Sequence, residues 1–571
     1  MIRSSRVELR RAAVAALALA AVAAVIASAV VAEVRPSRLL DPENHAAVRA
    51  LVRGLFPPDL SPSFVRVAAA ATLRTAVIAV VGTALSLAIA VPLGILGTAT
   101  LFRRGPLTEG ERRTPSALVL ATASAAARAA LGFLRAMPDL VWALFFVVGV
   151  GLGPVAGVLA VAVSYGGVLG HVLAELFDTV DPRPLEALRS TGATRLQIFV
   201  FGIWPQALPS AVAYVLYSFE CCVRAATVLG LVGAGGIGYE LALSMRLFEY
   251  GQILTLIAAL LALVWLTDAA SGVLRRLLRA NVPAGVLGHR RLRAVPPRAS
   301  RATAAAAVAA VVIACAAAAG LFDRGVLDAD APRRMAGFVR GMFPPDLSPA
   351  YLATVVAPAL QTLGTSVIGT VLGAILGAIL GVAAAAPHAE DDRARRAAWL
   401  LRQALRRGCR FVLSLLRAVP EVLWVVLVFL VLVGLGPFAG TLALGVHTGG
   451  VLGKLYADTL EEVSPLVLRG LRATGAGPLH LLVWGAWPEA RRMLISYTVL
   501  RWEMNVRTST VLGIAGGGGI GIALYNAVQL GFYPQAATLI GVIYLMVAAT
   551  GRLGDAVRRR LESASLHGGR R

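Results

Sequence analysis

Apolar runs too long for a soluble core govern what this chain can become. In the first half they read Ala12–Ala32, Thr72–Leu101, Ser116–Ala136, Leu140–Ala174, Pro209–Val232 and Tyr250–Leu274. About 20 helical residues cross a hydrocarbon layer of about 30 Å, so each run is long enough to span. Buried in lipid, backbone N–H and C=O groups must pair within the segment, and a helix does this. Composition agrees: 58% of the 571 residues are hydrophobic and 15% are charged, against roughly 25% charge in soluble domains. The expected fold class is all-α, a polytopic membrane protein with about 12 spans in two halves. The longest runs imply tilt or a kink, with Pro92 and Pro154 as break points.

The formal net charge of +23 would fit a nucleic-acid partner, but its placement does not. The arginines cluster in short loops: Arg103, Arg104, Arg112 and Arg113; eight between Arg275 and Arg301; then Arg393, Arg395, Arg396, Arg402, Arg406, Arg407 and Arg410. This is the positive-inside arrangement, which makes those loops cytoplasmic. A nucleic-acid face would need a soluble basic surface with stacking aromatics, and aromatics are 6% of the chain. Cys221, Cys222, Cys315 and Cys409 lie in or beside apolar helices without ligand partners, so neither a disulfide framework nor a zinc site is expected. No cofactor or metal is expected, and no loop is long enough to house an enzyme. The basic start (Arg3, Arg6, Arg10, Arg11) before Ala12–Ala32 reads as a first span or as a cleaved signal. The first reading is favoured by the run's length and by Ala302–Gly320, which holds the equivalent place in the second half.

The halves repeat each other. Phe56-Pro57-Pro58-Asp59-Leu60-Ser61-Pro62 returns as Phe343-Pro344-Pro345-Asp346-Leu347-Ser348-Pro349, a stiff external element read either as a docking rim or as a helix-linking turn. Leu185–Gly238 returns 283 residues later. The expected organisation is a first repeat over 1–285, a basic cytoplasmic linker over 286–301 and a second repeat over 302–571. Six spans in each half put both copies in one orientation, as parallel repeats with both termini cytoplasmic.

The polar start of the duplicated block has a recognisable spacing. Glu186-Ala187, then Gly192, then Trp204-Pro205 resembles the coupling loop of ABC importer permeases: Glu-Ala-Ala, three residues, Gly, nine residues, Ile-x-Leu-Pro. Leu188, Gly202 and Trp204 depart from that pattern. The second copy keeps Gly475 and Pro488 but has Arg469 where the first has Glu186. With Phe219-Glu220, Val223 to Gly230 and the glycine-rich end, the segment resembles the phosphonate-importer permease family, here as two fused copies. The resemblance implies the type I ABC importer permease fold in a bacterial inner membrane. It also implies alternating access, two separate ATPase subunits and a periplasmic or lipid-anchored phosphonate-binding protein. The coupling loops would be about 181–205 and 464–488, with Glu186, Ala187, Gly192, Pro205, Arg469, Gly475 and Pro488 meeting the ATPases. A short helix from Leu185 to Ser190 is expected to end at Gly192, with re-entry near Pro205. Phosphite, phosphate or another oxyanion is the alternative cargo. An ion-driven secondary transporter is the rival class, and it has no ATPase to seat on such a loop.

Three further features repeat. Glu220 and Arg224, and Glu503 and Arg507, stand four apart on one helix face. They read either as structural ion pairs or as path-lining groups whose arginines attract an oxyanion through two parallel hydrogen bonds. Arg135, Pro138 and Asp139 match Arg417, Pro420 and Glu421, read as a path-lining kink or as an external turn. The glycines Gly233, Gly235, Gly236 and Gly238, with Gly516, Gly518, Gly519 and Gly521, follow a membrane helix rather than a strand. They therefore read as tight external turns beside the path and not as a dinucleotide fingerprint. His171 and His447 occupy non-equivalent positions and read as packing or pore-side groups.

Overall fold

The computed structural model describes residues 19–20, 22–102, 115–281, 298–322, 330–385 and 396–568, and among these no strand occurs. Arg3, Arg6, Arg10, Arg11, Arg103, Arg104, Arg112, Arg113, Arg393, Arg395 and most of the linker lie outside the described residues.

The first copy contains α1 (Val22–Val31), α2 (Pro42–Leu55), α3 (Pro62–Gly97), α4 (Pro115–Ala136), α5 (Asp139–Val150) and α6 (Pro154–Asp178). It continues through α7 (Pro182–Ser190), α8 (Trp204–Leu229), α9 (Gly236–Arg246) and α10 (Tyr250–Asn281). The second contains α11 (Arg298–Ala318), α12 (Ala331–Gly341), α13 (Pro349–Ala384), α14 (Arg396–Ala418), α15 (421–433), α16 (Pro437–Glu461) and α17 (Pro465–Ala473). It ends with α18 (Trp487–Leu512), α19 (Ile520–Gln529) and α20 (Tyr533–Gly568). Among the described residues seven helices are long and apolar enough to cross a membrane, and an eighth path is bent by 64° between Gly517 and Ile520.

Local chemistry sets the helix starts. Ser61 accepts the Phe64 N–H, Ser348 accepts the Tyr351 N–H, and Pro62 and Pro349 occupy the first turn, where a missing N–H costs nothing. The proline-rich element is tied down in both copies. The Asp59 N–H donates to the Gly251 carbonyl (3.1 Å) and Thr255 donates to the Asp59 carbonyl (2.8 Å). Asp346 repeats this with Pro534 (3.1 Å) and Thr538 (2.7 Å).

Compact units and sequence repeats do not share boundaries. One unit is formed by residues 52–341, the other by residues up to 51 together with 342 onward. Within the first, α11 packs on α3, and α12 packs on α5, where Met335 lies against Gly149 and Arg334 donates to the Gly149 carbonyl (3.1 Å). Within the second, α1 lies against α13 at Gly364, and Arg38 donates to the Val433 carbonyl at the end of α15 (2.9 Å). In each unit an arginine from the added segment therefore satisfies a carbonyl at or next to a helix C-terminus, where a cation is favoured.

The path between α4 and α6 corrects an expectation. Along α6 the contacts run in order: Ser164 donates to Asp139 (2.8 Å), Gly167 lies against Leu134 and Arg135, Gly170 against Leu131, and Asp178 pairs with Arg128. α4 and α5 are thus one broken path antiparallel to α6, and the buried Pro138 lies level with the middle of α6. The chain reverses at Gly151–Gly153 instead, so the expected run Leu140–Ala174 is cut there. Gly151 and Gly153 have φ of 94° and 145°, and Pro154 opens the next helix. The order recurs as Glu421 with His447, Arg417 with Gly450, Leu413 with Gly453, and Arg410 with Glu461.

Candidate coupling face and translocation path

α7 is built to sit on the surface with one face anchored. Asp181 caps it by accepting the Arg183 N–H (3.0 Å), and its own N–H donates to Gln206 (3.2 Å). Leu185 is fully buried against Phe177, Phe199 and Ile203, while Glu186 and Ala187 are exposed. The helix stops at Ser190, and Gly192 turns the chain at φ 81°. α17 repeats the plan. The Ser464 N–H donates to Glu489 (3.4 Å), Leu468 is buried with Leu460 and Val463, Arg469 is exposed, and Gly475 has φ 80°. The short helix ending before Gly192 is therefore present, starting three residues before Leu185.

The chain is helical again well before Pro205. Thr194 and Gln197 form a capping box that starts a short helix at Arg195, and a π-helical turn over Phe199–Ile203 leads into α8. Pro205 lies in the first turn of α8, and Pro488 has the same place in α18. The sequence departure at Gly202 has a steric cause. A Cβ there would sit 2.6 Å from Leu185 and 3.1 Å from Leu188; at Gly485 it would sit 2.9 Å from both Leu468 and Leu471. A side chain at either glycine would require these leucines to shift where the short helix lies against this turn.

Residues that spacing alone did not flag brace this face. Asp178, at the end of α6, pairs with Arg128 and accepts hydrogen bonds from the Thr100 N–H and hydroxyl, both at 2.8 Å. Glu461, at the end of α16, accepts from Arg410 at 2.6 Å, and Arg410 also donates to the Ala384 carbonyl. A carboxylate recurring at the same place in both copies was the available signal.

The path candidates divide. Asp139 and Glu421 begin the helices after Pro138 and Pro420, and each binds the facing helix. Asp139 accepts from Ser164, whereas Glu421 lies 3.5 Å from His447, whose Nδ1 is 3.1 Å from the Val419 carbonyl oxygen. His447 thus holds the place of Ser164, and His171 pairs instead with Glu175 (3.1 Å). Arg135 and Arg417 close the helices before the break and are half-buried. Glu220 and Glu503 are buried, and Glu503 lies 3.5 Å from Arg558 of α20, an ion pair between neighbouring helices. The half-buried Arg224 donates to Cys221 Sγ (3.3 Å); Arg507 is also half-buried. The glycine stretches are largely buried: the Ile237 N–H donates to Thr75 and the Ile520 N–H to Thr362, both at 2.9 Å. Gly236 and Gly519 abut those threonines, Gly238 and Gly521 abut the Thr227 and Thr510 carbonyls, and the Gly153 and Gly436 N–H groups donate to Gly233 and Gly516 (3.0 Å each). Gly235 and Gly518 have φ of 80° and 70° beside Pro154 and Pro437. These are tight turns packed against the helix starts at Pro154 and Pro437.

Known proteins share this plan. The sequence profile of the "binding-protein-dependent transport system inner membrane component" family matches residues 116–282 and again 394–564. The phosphate-import permease protein PhnE of Mycolicibacterium smegmatis is 33% identical over 530 residues, 92% of this chain and 91% of that protein. The phosphite transport system permease protein PtxC of Stutzerimonas stutzeri is 42% identical over 150 residues, 26% of this chain and 54% of that protein. The cryptic phosphonate transport system permease protein PhnE2 of Escherichia coli K12 is 40% identical over 118 residues, 21% of this chain and 97% of that protein. An ATPase and a substrate-binding protein complete such importers, and the permease is a multi-pass inner-membrane component. With its all-helical fold and that profile matched in both halves, the chain belongs to the binding-protein-dependent transport system inner membrane component family, as a fused two-copy permease subunit of an ABC importer.

Proposed function

We propose that this chain is the permease of a phosphonate importer and that its two fused copies take the place of the usual pair of permease chains. One observation carries the coupling half of this reading. Two exposed helices, each anchored by a buried leucine and closed by a left-handed glycine, recur at the same place in both copies. Such a helix can transmit a push from a bound subunit into α8 or α18, because the chain re-enters directly below it. Glu186, Ala187, Gly192, Pro205, Arg469, Gly475 and Pro488 form or flank these faces, each seated on one of two ATPase subunits. A periplasmic or lipid-anchored phosphonate-binding protein delivers the cargo on the opposite side. Both termini are cytoplasmic, with the basic segment over 286–301 linking repeats 1–285 and 302–571.

The cargo class follows from the relatives' names, which share a tetrahedral phosphorus oxyanion. Arg224 and Arg507 are its proposed attractors, since a guanidinium matches two such oxygens at once. Arg135, Pro138, Asp139, Arg417, Pro420 and Glu421 line the path at the helix breaks, while Glu220 and Glu503 hold α8 and α18 in place. The glycines at 233, 235, 236 and 238, with 516, 518, 519 and 521, form tight external turns beside that path. Phosphate is the second reading, favoured by the M. smegmatis relative that matches nearly the whole chain. Competition uptake separates the two: excess unlabelled phosphate should leave labelled methylphosphonate uptake nearly unchanged. Arg224→Gln and Arg507→Gln should each lower uptake at least tenfold while assembly is retained. Unchanged uptake in both variants would remove the arginines from the path.

A further inference from the structure

The two coupling helices are alike on the inside and unlike on the outside. Facing the protein, Leu185 matches Leu468, Leu188 matches Leu471, and Gly202 and Gly485 make the same close approach. Facing outward, four exposed positions differ, Arg183 against Leu466, Pro184 against Val467, Glu186 against Arg469 and Ala187 against Gly470, while Thr191 and Gly192 recur as Thr474 and Gly475. All eight differing residues are exposed, Leu466 at 76% and Val467 at 44%. Charge diverges as well. Residues 181–192 carry Asp181, Arg183, Glu186 and Arg189, which cancel, whereas residues 464–475 carry only Arg469 and Arg472. Since the packing core of the helix is kept, the differences fall on the surface that a partner would meet.

We propose that α17 is the high-affinity ATPase position of this permease, docking an ATPase groove with an apolar floor and a carboxylate rim, and that α7 engages its ATPase more weakly. This rests on the coupling reading given above. Two adjacent exposed apolar side chains gain from burial at an interface, and a neighbouring arginine supplies a charge-assisted contact to a carboxylate. α7 offers an arginine and a proline where the floor would be, and a glutamate toward the rim, where like charge repels.

The full chain in lipid nanodiscs is titrated with the ABC ATPase of its own organism, made hydrolysis-deficient, and bound ATPase is followed. The wild-type chain should bind in two phases separated at least tenfold in Kd. Leu466→Ser with Val467→Ser should weaken the tight phase at least tenfold, and so should Arg469→Glu. Leu466→Arg with Val467→Pro, which carries the side chains of α7 and needs no change beneath, should merge the two phases. Glu186→Arg should tighten the weak phase. Two equal phases in the wild-type chain, or equal losses from matched changes on α7 and α17, would overturn the inequality and leave the coupling reading standing. Absence of any ATPase binding would overturn both.

Discussion

Gly202 shows how a single missing side chain lets a short surface helix lie close against the turn that follows it. Read against the family spacing it was a departure, yet it is the floor on which Leu185 and Leu188 rest, and Gly485 does the same for Leu468 and Leu471. Gly202→Val should push α7 outward at an overpacking cost of about 1–3 kcal/mol. The expected result is loss of permease-stimulated ATP hydrolysis with assembly retained, read by ATPase assay on the purified complex. Asp178 acts on the same surface from the side, holding Arg128 and the Thr100 N–H at the end of α6. Asp178→Asn should cost about 1–3 kcal/mol by leaving charged and polar partners poorly matched, visible as a lower unfolding temperature. The helix ends at Gly192 and Gly475 were legible because spacing alone carries the resemblance. Gly202, Asp178 and Gln206 were not, since their roles depend on what the fold brings beside them.

At the scale of elements, hydropathy located the spans and misplaced one reversal. It registers length and polarity but not direction, so Pro138, a break within a continuing path, looked as good a turn as Gly151–Gly153. The order of contacts along α6 decides the matter, because Asp139, Leu134, Leu131 and Arg128 succeed one another from its middle to its end. The proline-rich elements make a pH prediction. The side-chain hydroxyls of Ser61 and Ser348, and then their N–H groups, hydrogen-bond to Asp59 and Asp346 and hold both carboxyls below the usual carboxylate range. A lowered pKa means the bonds contribute at neutral pH and are lost as pH falls below the ordinary aspartate value of about 3.9. Ser61 and Ser348 amide exchange, taken relative to its intrinsic rate, should be slow at pH 6 and rise on acidification. Asp59→Asn should abolish that dependence at Ser61.

Across the whole molecule, duplication was plain in the sequence but the compact units were not. Self-similarity reports which residues correspond, and says nothing of which segment packs on which. The result is that α1 belongs with the second copy's unit and α11 and α12 with the first copy's. Gly364 tests this. A Cβ there would lie 2.9 Å from the Ser28 carbonyl, so Gly364→Leu should displace α1 and destabilise the unit containing α13, with little effect on the other. Limited proteolysis of the two units reads the difference.

On the proposed reading, a phosphorus oxyanion crosses through this chain when ATP closes subunits against α7 and α17. This crossing is tested most directly by uptake into vesicles holding the chain, its ATPase and its binding protein, with methylphosphonate, 2-aminoethylphosphonate, phosphite and phosphate compared. The expected result is ATP-dependent uptake with phosphonates preferred, abolished when Gly192 and Gly475, at φ of 81° and 80°, are both replaced by valine. Uptake that ignores ATP and follows an ion gradient would contradict it.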